Sequence, residues 1–147
     1  LGGRIVECHW FGPANTPGDT MTYVPEAKAV WTGNVTGGIF GLALESDAHT
    51  FLGTLTRFVQ TLDIETLIPA HMPMAEASLL DDYLSYFSEV ARGVRGAITD
   101  GLSLEQTFER VVQSERFSLP ESDPRAAVMT GRHQYNVRRT FMAMSKI

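Results

Sequence analysis

The sequence predicts a mixed α/β fold in which helices cover a layer of short strands, and two observations carry that reading. Short β-forming stretches punctuated by glycine fill the chain before residue 47, and apolar residues recur at helical spacing after it. The chain has 147 residues, 44% hydrophobic and 20% charged, which suits one globular domain spanning residues 1–147. Residues 1–77 hold the strands, one helix and the loops, and residues 78–147 form a helical extension.

Arg4 to Phe11 reads as the first strand, stopped by Gly12-Pro13. Met21–Val24 and Ala29–Thr32 form a hairpin around the turn-like Pro25-Glu26-Ala27-Lys28. Asp47 caps a helix whose apolar face is Phe51, Leu52, Leu55, Phe58, Val59 and Leu62. Glu65–Pro69 is a short buried strand that runs into the loop Ala70-His71-Met72-Pro73. A second helix follows from Ser78 to about Ile98, with Leu80, Leu84, Phe87, Ala91, Val94 and Ile98 on one face. Ser103 and Gln106 have the spacing of a capping box and open a third helix. Ser122-Asp123-Pro124 opens a fourth, with Pro at the first helical position. Four short strands leave sheet edges and one face uncovered, so a further layer is expected against them.

Composition excludes several classes of function. Twelve Lys and Arg against 17 Asp and Glu give a net charge of -5, which argues against nucleic-acid binding. No apolar run is long enough to span a bilayer. The single cysteine, Cys8, excludes an internal disulfide framework and a Cys-rich zinc module, and leaves the compartment open. The chain opens on Leu1-Gly2-Gly3 with no recognisable leader, and is expected to be a processed product or a piece of a longer protein.

Three loops that follow strands present Asn15, Asn34 and His71. In layered folds, side chains at strand ends converge on one rim, where sites are built. The remaining polar candidates read as structural. Asp19 holds the Pro17-Gly18 turn, His9 packs or faces solvent, His49 lies on the surface, and His133 makes a structural bond. Cys8, Trp10, Trp31 and Met72 are expected in the core. Residues 36–44, rich in glycine, are expected to form a mobile apolar flap beside the site.

At these residues the sequence resembles the C-terminal half of the metallo-β-lactamase-fold hydrolases. The matching segments are Ala14-Asn15-Thr16-Pro17-Gly18-Asp19, the hairpin into Trp31-Thr32-Gly33-Asn34, and Pro69-Ala70-His71. Asp100–Glu105 and His133-Gln134-Tyr135-Asn136-Val137 resemble elements of a helical extension found in that family. The resemblance implies half of an αββα sandwich with a metal centre along one sheet edge. It further implies a zinc-dependent hydrolase of an ester, lactone, thioester or β-lactam-like bond in a small molecule, zinc-bound water acting as nucleophile. His71, Asn34 and Asn15 stand at positions that correspond to metal ligands. Two of the three depart from the family's pattern: Asn15 replaces a histidine and Asn34 an aspartate, and amide oxygen is a weak zinc donor. The family's His-x-His-x-Asp-His cluster is absent, since His9, His49, His71 and His133 lie far apart. A complementary N-terminal half or a second copy of the chain is the expected partner. The rival reading is a non-catalytic association module that oligomerises through its open sheet.

Overall fold

The computed structural model describes residues 2–146. Five strands, β1 (Glu7–His9), β2 (Met21–Val24), β3 (Ala29–Gly33), β4 (Thr66–Pro69) and β5 (Ala75–Glu76), form one sheet in sequential order. Four helices accompany them: α1 (Ala48–Thr61), α2 (Leu79–Thr99), α3 (Leu104–Arg110) and α4 (Ala126–Met144). The β1–β2, β2–β3 and β4–β5 pairs are antiparallel, whereas β3 and β4 are parallel. A parallel pair needs a crossover, and α1 supplies it. The strands β1, β3 and β4 therefore run in one direction and end at the same edge.

Strand alternation sorts the residues onto two faces. The row Tyr23–Val30–Leu67 faces the helices and is buried. The next row, Cys8–Thr22–Trp31–Ile68, lies on the opposite face, where Trp31 is 60% exposed. Cys8 is exposed too, and Trp10 is 59% exposed beyond the end of β1. The expectation that Cys8, Trp10 and Trp31 are core residues is corrected: all three have core chemistry but are exposed, Cys8 and Trp31 on the open sheet face.

The helices begin largely where the local chemistry dictates. The Asp47 carboxylate accepts from the His49 and Thr50 amides, and Ser103 and Gln106 form the reciprocal capping box. The fourth helix starts later than expected, because Pro124 lies in the preceding turn and Ala126 is the first helical residue. The buried face of α2 is also wider than its aliphatic stripe, since Tyr83 and Tyr86 are buried as well. Phe51 stacks on Phe87 at 4.1 Å between centroids, and Phe40 on Tyr86 at 4.0 Å. The backbone at Gly41 passes so close to the first pair that a Cβ there would lie 2.9 Å from the Phe51 ring.

Residues 37–47 form neither helix nor strand, yet Phe40, Gly41, Ala43 and Ser46 are buried. Their backbone groups need partners, and α4 provides them from one face. Asn136 donates to the Gly41 carbonyl at 3.0 Å and accepts from the Ala43 amide at 2.9 Å. Tyr135 donates to Leu44 O (2.9 Å), Arg139 to Ser46 O (3.1 Å), and Thr140 accepts from the Ala48 amide (2.9 Å). Most of the expected flap, from Phe40 onward, is thus a pinned internal segment.

Beneath it runs a complete relay. Asn136 donates to the Tyr86 hydroxyl (3.1 Å), and His133 Nε2 bonds the Val111 carbonyl (2.8 Å). A carbonyl only accepts, so the His133 proton sits on Nε2 and Nδ1 accepts from Tyr86 at 3.2 Å.

Replacing Asn136 by Leu strands the Ala43 amide and the Gly41 carbonyl. The expected loss is about 2–4 kcal/mol of unfolding free energy, measured by urea denaturation; a loss below about 1 kcal/mol would show that the pinning is dispensable. Burial holds the His133 imidazole below its ordinary pKa, outweighing the Val111 hydrogen bond. The unfolded chain takes up this proton first as pH falls, so the stabilisation present above about pH 6.5 is lost as pH drops toward the folded-state value. The melting temperature should fall between pH 7 and 5, and the fall should be shallower in His133→Gln.

Candidate functional site

The site candidates occupy the edge where β1, β3 and β4 end. The loop after β1 is tied to α1 and to the segment ahead of it. Arg57 Nε donates to Phe11 O (2.7 Å), Thr54 to Pro13 O (2.6 Å) and the Ser46 hydroxyl to Ala14 O. Asp19 accepts from the Thr16 amide at 2.7 Å, as a turn-holding carboxylate should. Asn15 is consequently buried, and its amide donates to the Leu42 carbonyl at 2.7 Å. Because that carbonyl can only accept, the contacting atom is nitrogen. The Asn15 amide oxygen is left without a donor among the described residues.

Asn34 and His71 are positioned together. The Ala70 amide donates to the Gly33 carbonyl at 2.9 Å, one bond beyond the β3–β4 ladder. Gly33 immediately precedes Asn34, and Ala70 immediately precedes His71, so both side chains leave the sheet from adjacent strand ends. A contact between the Thr32 and Thr36 hydroxyls closes the turn around Asn34. Both Asn34 and His71 are exposed, and neither side chain bonds to another described residue. His71 adopts φ +64°, a left-handed conformation that is uncommon for a residue with a Cβ. His71 stands in the turn that leaves β4, and the turn sets this backbone conformation.

His71 also lines a pocket of about 310 Å³. Its walls come from Gly37, Gly38 and Ile39, from Met72, and from Leu119, Val128 and Met129 of the helical extension. Met72, expected in the core, is half-buried and lines this pocket instead. Two arginines, Arg125 and Arg132, complete the lining. Arg125 is engaged by Asp123 through two bonds (3.0 and 2.8 Å), which hold the Asp123 carboxyl down at about 2. The sequence reading missed Arg132. Its signal is the polar stripe Arg132, Tyr135, Asn136, Arg139 and Thr140, which repeats at helical spacing along α4.

The structure thus places Asn34 and His71 at adjacent strand ends, and Asn15 in the loop after β1, held against Leu42; of the three only His71 lines the pocket. Among the described residues no group of three or more His, Cys, Asp or Glu side chains could hold a metal ion. One imidazole and two amides fall short of the three firm donors a zinc site needs. The remaining histidines lie elsewhere: His9 bonds Glu7 and stacks on Phe11, His49 is exposed on α1, and His133 is buried in the relay.

No family model matches the sequence, and no curated protein matches it. Solved structures do match the fold. A metallo-beta-lactamase from Pontibacter korlensis superposes with a TM-score of 0.54 at 22% identity, over 60% of this chain and 43% of that one. The chain carries part of the metallo-β-lactamase fold. VMB-1 matches similarly, with a TM-score of 0.53 at 14% identity over 59% of this chain and 42% of its own. A double mutant of the sec-alkyl sulfatase PisA1 matches with a TM-score of 0.72 at 14% identity, covering 97% of this chain and 24% of that one. That coverage takes in α2, α3 and α4 as well as the sheet. The chain spans less than half the length of each of these neighbours.

Substituting His71 by Gly relieves the left-handed backbone. The folded chain should be unchanged or more stable by up to about 1 kcal/mol in thermal denaturation. A clear destabilisation would mean that the imidazole serves the fold.

Proposed function

We propose that this chain is part of a zinc-dependent hydrolase acting on an ester, lactone, thioester or β-lactam-like bond in a small molecule. One observation carries the reading: Asn15, Asn34 and His71 follow three strands that end at one sheet edge, in part of a metallo-β-lactamase fold. In this reading His71 is a metal ligand, and the free amide oxygen of Asn15 and the exposed Asn34 are supporting donors. Their own donor set does not complete a zinc site, so the missing ligands come from a complementary half of the sandwich. The surface for that half is the open sheet face, where Cys8, Thr22, Trp31 and Ile68 stand side by side. An apolar face of this kind is normally covered.

The same face supports a second reading, a non-catalytic module in which two copies bury their sheets against each other. One experiment separates the two. The chain is assayed for bound zinc and for chelator-sensitive ester hydrolysis, first alone and then with a supplied N-terminal half that bears His-x-His-x-Asp-His. The chain alone should show no zinc-dependent turnover, and the reconstituted protein should show it. In that protein His71→Ala should lower zinc occupancy and Asn34→Asp should raise it. A homodimer that excludes the added half and takes up no zinc would favour the association module.

A further inference from the structure

The pocket beside His71 contains a charge that no carboxylate among the described residues neutralises. Arg132 lies on α4 and lines the pocket, and its one protein hydrogen bond is a long one, 3.4 Å, to the Gly37 carbonyl. A guanidinium has five N–H donors, and among the described residues no carboxylate pairs with this one. The other arginine of the pocket is different, because Asp123 neutralises it. Around Arg132 the walls are apolar: Ile39, Met72, Leu119, Val128 and Met129. The volume of about 310 Å³ lies within the range of small-molecule sites, roughly 300–1,000 Å³.

An open cation at one point of an apolar pocket selects a ligand of matching character. We infer that the pocket binds a small organic anion, an oxyanion head on a hydrocarbon body, with Arg132 holding the head. Planar guanidinium donors suit carboxylate and sulfate oxygens alike. The inference rests on reading the sheet edge as a substrate site, and it names the class of molecule brought to it. It also gives the helical extension a role in specificity: α4 and the segment before it supply the cation and most of the apolar wall, while the sheet supplies His71.

The test is calorimetric titration of the 147-residue chain with octanoate, octyl sulfate and octan-1-ol, all with chelator present. Chelator makes the result independent of zinc, so failure of the metal reading leaves this test intact. Both anions should bind, and the alcohol should bind at least about tenfold more weakly. Comparing the two anions identifies the preferred head group. Arg132→Gln should weaken anion binding at least tenfold, and Arg132→Lys should restore part of it. Val128 is 56% exposed, so Val128→Glu places a repelling charge at the rim without disturbing the core. It should weaken both anions while the melting temperature holds. Equal binding of alcohol and anions, parent-like binding by Arg132→Gln, or no anion binding at millimolar concentration would each overturn the inference.

Discussion

The polar stripe of α4 is the contact on which the rest of this structure depends. Residues 37–47 cross the core without a helix or strand of their own, so their buried amides and carbonyls require partners from elsewhere. Asn136, Tyr135 and Arg139 provide them from one face of α4, and Thr140 holds the first amide of α1. A single extended amide spans both a donor and an acceptor on the segment, and its second proton engages Tyr86. The polar face of α4 is therefore built into the interior.

That pinning propagates to the candidate site. Leu42 lies within the held segment, and its carbonyl fixes the Asn15 amide. The Asn15 carbonyl in turn accepts from the Glu45 amide at 2.9 Å. Gly37 and Gly38, at the start of the segment, form one wall of the pocket next to His71. Loop, helix and strand ends thus share one scaffold, although the polar side chains at the rim come from distant parts of the chain. Among the described residues the opposite side of the sheet has no such cover. There the row from Cys8 to Ile68 presents apolar surface, including a largely exposed tryptophan, that a sandwich would bury.

Much of this was legible in the residues. Strand alternation, the Asp47 cap and the Ser103–Gln106 box depend on neighbours within a few positions, and each appears where local chemistry places it. The three site candidates were readable as polar residues that follow strands. The two-residue strand β5 was not, because a pair of residues carries no periodicity; only its pairing with β4 defines it. Cys8, Trp10 and Trp31 were misplaced because apolar chemistry says that a side chain favours burial, not that a partner surface exists. Residues 36–44 have the glycine content of a flap, which reports conformational freedom, whereas Asn136, some 95 residues away, removes that freedom around Gly41 and Ala43.

By itself the sequence determined the local elements, the kind of fold, and which polar residues terminate strands, since these follow from periodicity, capping and turn chemistry over short spans. Only the tertiary structure decided which sheet face is open, which segment is pinned, and that His71 shares a pocket with Arg132 of α4, which has no carboxylate partner among the described residues. Those facts depend on contacts between residues tens of positions apart, and neither hydrophobic period nor local motif encodes which distant backbone a side chain will meet.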